Sequence, residues 1–274
     1  MTDLADRRLI RELDAYFDAA PRPDADAVET TAFTLFVSRT PWGYYARPFR
    51  THDEPIAAPD IDELGQACAH HGVDLEIEWV HETHPELAGV AAEYGLEVKS
   101  HALMVADASD VVAPKVADVT LRVIDAEDSA LLSGRAVAQV SFTVGGTMTG
   151  RGGVIERDAA AVGLPGDMLD YLRDRDRRGL TITAVAESEA GVLAVGSYQP
   201  IGEIAEIVAV ATLPQVRRRG LGGAVTALLT RHAWTHGVRT ILFSAQGADV
   251  ARVYSRVGFR RVGSTHAAHR PETS

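Results

Sequence analysis

The chain has 274 residues, 46% of them hydrophobic and 24% charged, a composition typical of globular proteins and a length above that of one average domain. Its net charge of −11 at pH 7 argues against nucleic acid or an acidic membrane as the main partner, because both select a basic surface. Cys68 is the only cysteine, so an internal disulfide is excluded.

Helical and extended patterns alternate through the first hundred residues. Leu4, Ile10, Leu13 and Phe17 share one face of an amphipathic helix pattern near the N-terminus. We predict helices over residues 3–19, 61–71 and 85–94, and strands over residues 33–38, 42–49, 75–80 and 96–106.

Small residues around Pro114 predict a linker over residues 108–118, after which a second domain begins. In it we expect strands over residues 119–124, 182–186, 192–198, 204–212, 238–244 and 260–264, and helices over residues 125–138, 165–178, 220–234 and 249–257. The glycine-rich stretch 145–153 is weak as a phosphate cradle, because no helix pattern follows it cleanly. We interpret it as a flexible loop beside a substrate cleft or as a plain surface loop. The polar tail from His266 onwards is expected to be disordered.

The junction between residues 204–212 and 220–234 is rich in arginine and glycine. A helix that begins with small residues exposes free backbone N–H groups at the positive end of its dipole. Glycines let a phosphate approach the main chain, and arginines add charge and donors. The residues concerned are Arg217, Arg218, Arg219, Gly220, Gly222 and Gly223. The junction predicts an anion site, with an ordinary basic turn as the alternative.

Two common phosphate loops do not fit this junction. The dinucleotide fingerprint needs its glycines directly after the strand, and the P-loop needs a Gly-Lys-Ser/Thr ending. What is present is R-x-x-G-x-G, formed by Arg217, Gly220 and Gly222. A second motif follows downstream, where a short helix pattern contains Tyr254 and stops at Gly258-Phe259.

Together these motifs resemble two segments of the GCN5-related N-acetyltransferase (GNAT) family, the acetyl-CoA pyrophosphate loop and a tyrosine-bearing C-terminal helix. The resemblance covers residues 119–264. It implies an α/β (α+β) fold with a mixed, mostly antiparallel sheet flanked by helices. It also implies transfer of an acetyl group from acetyl-CoA to a primary amine of a small molecule or peptide by direct attack. The alternative is a non-catalytic module that senses acyl-CoA or binds a partner.

The first half of the chain repeats the element order of residues 192–264: strand, strand, helix, strand, helix, strand. We therefore expect a truncated GNAT-like domain over residues 1–108 before a catalytic GNAT domain over residues 119–265, although any α/β module shows this order. The turn equivalent to the anion site has no glycine and carries Asp53 and Glu54. Two carboxylates there would repel a pyrophosphate, so the hypothesis follows that this half binds no coenzyme A.

The resemblance also assigns roles to the strand over residues 204–212. The family uses a β-bulge on this strand to splay it from its neighbour, which implies a cleft. Backbone groups of Val208, Val210 and Thr212 are expected to contact the pantetheine amides and the thioester oxygen. Period-two alternation places these three side chains on one face together with Glu206.

Glu206 is the candidate general base, acting directly or through a water, because a carboxylate in an apolar strand is costly unless it works or is paired. Glu203 is the second candidate, and an ion pair of Glu206 with an arginine is the structural alternative. The family pattern points to Tyr254 as the acid, since a phenol with a pKa near 10 is protonated at neutral pH and can donate to a departing thiolate. A core aromatic is the alternative for Tyr254. Ser244, at the end of the next strand, is expected to touch the cofactor or relay a proton.

No metal site is expected. His81 and His84 are one residue too close for the H-E-x-x-H pattern, and no Cys/His cluster supports zinc. The chain has no apolar run of transmembrane length and no signal-peptide core, so we expect a cytoplasmic protein without membrane contact. The excess of Ala, Arg, Val and Gly indicates a bacterial source, and the sequence is compatible with a homodimer.

Overall fold

The structure, a computed structural model, describes residues 4–49, 54–106 and 110–271. Contacts divide the chain into unit 1, which holds Met1–Leu103 and Val262–Ser274, and unit 2, which holds Met104–Arg261. The chain therefore leaves unit 1 within its fifth strand and returns to it early in its last strand. None of the described helices is long and apolar enough to cross a membrane.

Unit 1 places helices beside a mixed sheet. Its elements are α1 (Leu4–Ala19), β1 (Ala25–Glu29), β2 (Phe33–Ser38), β3 (Ala46–Pro48), α2 (Ala58–His71), β4 (Glu76–Val80), α3 (Leu87–Glu93), β5 (Glu97–Ala106) and the final strand β11 (Arg260–His269). The strand order is β1-β2-β3-β4-β11-β5. Strand β2 pairs antiparallel with β1 and β3, β3 pairs parallel with β4, and β11 pairs antiparallel with β4.

Unit 2 has the same kind of layering. Its elements are β6 (Thr120–Ile124), α4 (Ala130–Phe142), α5 (Val154–Val162), α6 (Gly166–Arg177), β7 (Ile182–Ser188), β8 (Gly191–Ile201), β9 (Ile204–Thr212), α7 (Leu221–Thr235), β10 (Thr240–Ala245) and α8 (Ala248–Val257). The strand order is β10-β9-β8-β7-β6. The pairs are antiparallel except for β9 with β10, which run parallel.

Apolar spacing on α2 builds the core of unit 1. Ile61, Leu64 and Cys68 recur at helical spacing and are buried in one cluster with Trp79 of β4. Gly72 ends the helix with a φ of 66°, a left-handed conformation that favours glycine. The amphipathic pattern and its glycine stop thus fix both the face and the end of α2.

Helix α7 packs onto the sheet of unit 2 through Leu221, Val225 and Leu229, which recur every four residues and are buried. Beneath the helix lies Gly196 of β8, where a Cβ would stand 3.1 Å from Val225 Cγ1 and 3.2 Å from Leu229 Cδ1. The missing side chain lets α7 approach the strand closely. The position of the α7 N-terminus above the sheet depends on this contact.

The predicted fold class, a mixed and mostly antiparallel sheet flanked by helices, is confirmed. The predicted repeat of element order is also present, as β2-β3-α2-β4-α3-β5 and as β8-β9-α7-β10-α8-β11. In each copy the first two strands are antiparallel and the second and third are parallel. The domain bounds 1–108 and 119–265 concern independent folding and stay a prediction. Asp53 of the first-half turn lies outside the described residues.

Several predicted boundaries in the chain are wrong. The prediction missed β1 and α5, and β3 is shorter than the strand expected over residues 42–49. The helix expected from residue 125 begins at Ala130 instead. Side chains of Asp125 and Asp128 accept hydrogen bonds from the N–H groups of Glu127 and Ala130, both at 2.9 Å. These carboxylates hold a turn in place of the first helical turn.

The expectation of a disordered tail from His266 is wrong. Strand β11 continues to His269 and pairs with β4, so that His266 stands opposite Trp79. The two rings meet edge-on with centroids 5.2 Å apart. The polar composition of the tail hid this strand, because its stability comes from a partner more than 180 residues away in sequence.

Charges are buried between α1 and the sheet of unit 1. Arg47 of β3 is 3% exposed and donates to Asp14 Oδ1 at 2.8 Å, with its guanidinium 5.2 Å from the centre of the Phe17 ring. On β4, protein atoms surround the carboxyl of Glu78, although the residue keeps some accessible surface. This burial raises the pKa of Glu78 to about 7, against a lowering by Arg47 and a further rise caused by Glu76.

The raised pKa of Glu78 predicts a pH-dependent stability. Because the folded-state pKa of about 7 exceeds the ordinary 4.5, Glu78 favours folding most below pH 4.5 and loses that contribution as the pH rises through 7. We expect Glu78→Gln to stabilise the protein at pH 8 by up to about 3 kcal/mol, and by much less at pH 5. Urea unfolding at both pH values measures this. Glu93→Gln, an exposed change on α3, is the control, and an equal effect of Glu78→Gln at both pH values would contradict the assignment.

Candidate active site

Strands β9 and β10 form a fork. Their parallel pairing joins Ile204 to Thr240 and continues only as far as Glu206 and Leu242. Both strands run on beyond that point, β9 to Thr212 and β10 to Ala245. Since no further residue pairs join these two described strands, they diverge toward their carboxyl ends. The divergence opens backbone groups of β9 that a regular sheet would have bonded.

A β-bulge on β9 accompanies the fork. On the other side of β9, Val195 of β8 pairs with Ala211 and Ser197 pairs with Val208, so two residues of β9, Ala209 and Val210, oppose the single residue Gly196 of β8. Ala209 has a φ of 53° in the left-handed region. A bulge bends and twists its strand, which turns the end of β9 away from β10. The bulge that the family resemblance implies is therefore present.

The bulge makes the predicted common face of β9 wrong. Val210 Cγ2 lies 3.1 Å from the Cβ position of Gly196, on the side that α7 covers, and Thr212 Oγ1 lies 3.4 Å from the Cβ position of Gly222. Val208 pairs with Ser197, which points away from α7 because its neighbour Gly196 faces that helix. Val210 and Thr212 thus face α7, whereas Val208 faces the other side.

Glu206 also lies on the side away from α7. Tyr198 of β8 points toward α7, since its hydroxyl is 3.0 Å from His232 Nδ1 on that helix. The next residue, Gln199, therefore points away from α7, and so does Glu206, which pairs with it. Glu206 is partly exposed and is the last residue of β9 before the fork. Its side chain is therefore on the face of the sheet opposite α7.

The runner-up Glu203 lies at the other end of the β9–β10 pair. It is exposed in the turn before β9, and its carbonyl accepts hydrogen bonds from the N–H groups of Arg239 at 2.7 Å and Thr240 at 3.1 Å. The fork opens in the opposite direction along the strands. The structure therefore brings Glu206, and not Glu203, next to the bulge.

The turn after β9 presents unbonded backbone donors. Pro214–Val216 form a 3-10 turn, Arg218 has a φ of 67°, and Gly220 has a φ of 84° as the residue before α7. In the described chain, the N–H groups of residues 218–223 donate to no protein acceptor. Arg218 and Arg219 are exposed beside them. The predicted anion turn thus has free donors, a helix N-terminus and two solvent-facing cations in one place.

Arg217 is occupied differently from its two neighbours. Its guanidinium donates to four backbone carbonyls, those of Ser141 at 2.7 Å, Val144 at 3.0 Å, Met148 at 2.7 Å and Thr212 at 3.1 Å. Burial lowers the pKa of Arg217 from its ordinary value. Its side chain fastens the connection after α4 to the end of β9.

The glycine-rich stretch lies within that connection, residues 143–153, which we call the bridge loop. It packs against the turn after β9, where Gly150 N donates to Pro214 O at 3.2 Å and Gln215 N donates to Gly152 O at 3.0 Å. A Cβ at Gly152 would stand only 3.3 Å from Pro214. The glycines therefore serve close packing at these positions, and the choice between a flexible loop beside a cleft and a plain surface loop stays a prediction.

Tyr254 of α8 is 5% exposed and lies in the core of unit 2. Its ring stacks on Phe243 with centroids 3.7 Å apart and meets Phe259 edge-on at 5.7 Å. Burial raises its pKa above the ordinary phenol value, and a hydrogen bond with the hydroxyl of Thr226 on α7 partly offsets the rise. Thr226 donates in turn to the Gly222 carbonyl at 2.9 Å, which ties the phenol to the first turns of α7. Its proton is therefore retained well above neutral pH.

Comparisons with known proteins agree with this geometry. Residues 184–267 match the family model described as FR47-like protein. The structure is similar to a GCN5-related N-acetyltransferase from Kribbella flavida, with a TM-score of 0.70, 18% identity and 96% of each chain covered. It is also similar to a GCN5-related N-acetyltransferase from Sphaerobacter thermophilus, with a TM-score of 0.54, 16% identity, and 78% of this chain and 67% of that chain covered.

A tandem GNAT protein from the clavulanic acid biosynthesis pathway is similar at a TM-score of 0.57 and 13% identity, with 90% of this chain and 83% of that chain covered. No curated protein sequence matches the chain. The chain has the fold of the GCN5-related N-acetyltransferases. The resemblance drawn from the two sequence motifs is thereby confirmed, and the repeated element order agrees with the similarity to a tandem GNAT protein.

In this GNAT fold, the predicted linker is part of the site framework. Val112 N donates to Val257 O at 2.9 Å, and Pro114 Cγ lies 3.1 Å from the Cβ position of Gly223. Gly223 therefore serves packing between Pro114 and α8. Ser244 lies on β10, two residues past the last residue paired with β9, and is partly exposed.

Residues outside the predicted set also shape the candidate site. Thr226 and Phe243, which contact Tyr254, and Gly196, which contacts Val210, were not predicted as site residues. The available signal for Thr226 was a hydroxyl within the apolar residues 224–229 of α7. Among the described residues, no group of three or more His, Cys, Asp or Glu side chains is placed to hold a metal ion.

The hydrogen bond between Tyr254 and Thr226 predicts a measurable coupling. Thr226→Val keeps the side-chain shape but leaves the buried phenol hydroxyl without this partner, so we expect a loss of about 1–3 kcal/mol in the free energy of unfolding. Thr226→Ser retains the hydroxyl and is the control. Combining Thr226→Val with Tyr254→Phe should cost less than the sum of the two single changes, and strict additivity in urea unfolding would show that the two hydroxyls do not interact.

Proposed function

We propose that the chain is an acyl-CoA-dependent N-acyltransferase that moves an acetyl group from acetyl-CoA to a primary amine of a small molecule or peptide. The observation that carries the proposal is the fork between β9 and β10, which opens at a bulge directly before a turn of unbonded N–H groups. Such a fork offers backbone donors and acceptors along β9 and an anion site at its end. A pantetheine arm that ends in a pyrophosphate needs both.

Residues of this chain fit acetyl-CoA as the co-substrate. The N–H groups of residues 218–223 and the side chains of Arg218 and Arg219 would hold the pyrophosphate. Backbone groups of Val208, Val210 and Thr212 would hold the pantetheine arm along the opened edge of β9, with Ser244 on the facing strand. When bound, the co-substrate supplies an activated acetyl thioester.

Glu206 is proposed as the general base. It stands at the closed end of the fork, on the face opposite α7, and is partly exposed. An amine arriving on that face would meet the carboxylate before it meets the α7 side of the sheet. The carboxylate then accepts the proton that the attacking amine must lose, directly or through a water.

Tyr254 is proposed as the acid that returns a proton to the leaving thiolate. Its raised pKa keeps the hydroxyl protonated, and its bond to Thr226 places that hydroxyl beside the first turns of α7. The burial of Tyr254 also supports the second candidate function, a module that binds acyl-CoA without catalysis, because the ring is fixed as a core aromatic is.

Turnover assays on two variants test the proposed function. We expect wild-type protein to cleave acetyl-CoA in the presence of amines, and Tyr254→Phe and Glu206→Gln each to lower kcat by roughly 10²–10⁴ with little change in acetyl-CoA binding. The Glu206→Gln defect should shrink as the pH approaches 10, since the amine then loses its own proton. The wild-type rate should persist to about pH 9.5, because the pKa of Tyr254 is raised above the ordinary phenol value near 10.

Glu203→Gln is the matched control for the base, since Glu203 lies three residues away at the far end of the pair. Loss of activity in Glu203→Gln with full activity in Glu206→Gln would reverse the assignment of the base. Binding of acetyl-CoA without turnover on any amine tested would favour the sensor over the enzyme.

We also propose that each chain binds one coenzyme A. Helix α2 stands in unit 1 where α7 stands in unit 2, but its N-terminus is already capped, as Ala57 N donates to Asp60 Oδ2 at 2.8 Å. An acid in the first turn opposes a phosphate, and α7 has none there. Isothermal titration with acetyl-CoA should give a stoichiometry of one per chain, and a value of two would contradict the proposal.

A further inference from the structure

The bridge loop is fastened at both of its sides. Toward β9, Arg217 donates to the carbonyls of Val144 and Met148, and the main chain at Gly150 and Gly152 bonds the turn at Pro214. Toward α8, Thr147 donates to Asp249 Oδ2 twice, from its N–H at 3.0 Å and from its hydroxyl at 2.9 Å. These bonds anchor one short loop to two elements that lie at different edges of the fork.

The location of the two anchors decides what the loop does. Because β9 and β10 are parallel, their carboxyl ends lie at the same edge of the sheet. The turn that binds the loop follows β9, and α8, which carries Asp249, follows β10. The loop therefore crosses from the end of one strand to the region beyond the end of the other, over the open side of the fork.

The fork is thereby enclosed. Its narrow end is shut by the pairing of Glu206 with Leu242, its sides are the diverging strands, and its wide end is spanned by the bridge loop. Gly152 and Gly146 show how tightly the loop is held, since a Cβ on them would stand 2.8 Å from Val140 and 2.7 Å from Asp249 Oδ2, respectively. A ligand that passes through such a frame must be slender.

We propose that the bridge loop completes the pantetheine passage, and that Arg217 and Asp249 are positioning residues that set coenzyme affinity through the loop without touching the phosphates. The inference rests on the proposed function and refines it. It separates Arg217 from Arg218 and Arg219, because the guanidinium of Arg217 is directed to carbonyls while the other two side chains are exposed. It also explains the arginine chemically, since a planar group with five N–H donors can bond four carbonyls and a lysine cannot.

The test compares two probes, acetyl-CoA and S-acetylpantetheine, which carries the same thioester arm without the pyrophosphate. We expect Arg217→Gln, Arg217→Lys and Asp249→Ala each to weaken the binding of both probes by a similar factor, about tenfold. We expect Arg218→Ala combined with Arg219→Ala to weaken acetyl-CoA and to leave S-acetylpantetheine unchanged. Asp167→Ala, which removes an acid from the first turn of α6, is the matched control for Asp249→Ala and should leave both probes unchanged.

Hydrogen exchange of the ligand-free protein gives a readout that needs no coenzyme. Amides of residues 143–153 should exchange faster in Arg217→Gln and in Asp249→Ala than in wild type, while α7 stays protected and the melting temperature shows that the variants fold. Unchanged exchange in either variant would overturn the inference.

Two binding results would also overturn it. One is that Arg217→Gln weakens acetyl-CoA alone while Arg217→Lys binds as wild type does, which would make Arg217 a phosphate ligand. The other is that Asp249→Ala leaves both probes unaffected. If wild-type protein binds neither probe, the proposed function fails, and the exchange measurement still decides whether the loop is anchored as described.

Discussion

One extra residue in β9 controls the geometry of the fork in unit 2. The bulge sets two residues of β9, Ala209 and Val210, against the single residue Gly196 of β8. A left-handed φ on a residue other than glycine costs of order 1–3 kcal/mol, so the surrounding structure must hold it. Packing of Val210 over Gly196 and against α7 supplies that support. The strained residue lies where β9 turns away from β10, and this turn opens the fork.

The bulge also divides the side chains of β9 between the two faces of the sheet. Before it, Glu206 and Val208 face away from α7, and after it, Val210 and Thr212 face toward α7. A regular strand would have put all four on one face. In the proposed reaction, a base on one side of the sheet and a coenzyme arm on the other would meet through the opening. The same displacement that frees the backbone would thus separate the proposed acceptor face from the proposed coenzyme face.

Much of this could be predicted from the sequence, and the exceptions have physical causes. Local periodicity and stop signals predicted strand β9, helix α7 and helix α8, which ends at a glycine. These signals are contained within the short segments themselves. The direction of the Val210 side chain does not, because it depends on a register with β8 that no local pattern encodes. The same is true of β11, whose polar residues became a strand through pairing with β4. Local bonds caused a further error, since the carboxylates of Asp125 and Asp128 hold a turn where the sequence predicted the start of α4.

The two glycine-rich stretches show how far composition alone can lead. Both contain glycine beside polar residues, yet the turn at residues 218–223 leaves its N–H groups unbonded while the bridge loop uses glycine to lie against Pro214 and Asp249. What separates them is the neighbouring element, a helix N-terminus in the first case and a packed turn in the second. Arg217 connects the two stretches. It is the first residue of the R-x-x-G-x-G motif, and its guanidinium donates to the carbonyls of Val144 and Met148 in the bridge loop. In the proposed site, a motif residue thus shapes the boundary, while the exposed cations and the main chain beside it would supply the charge.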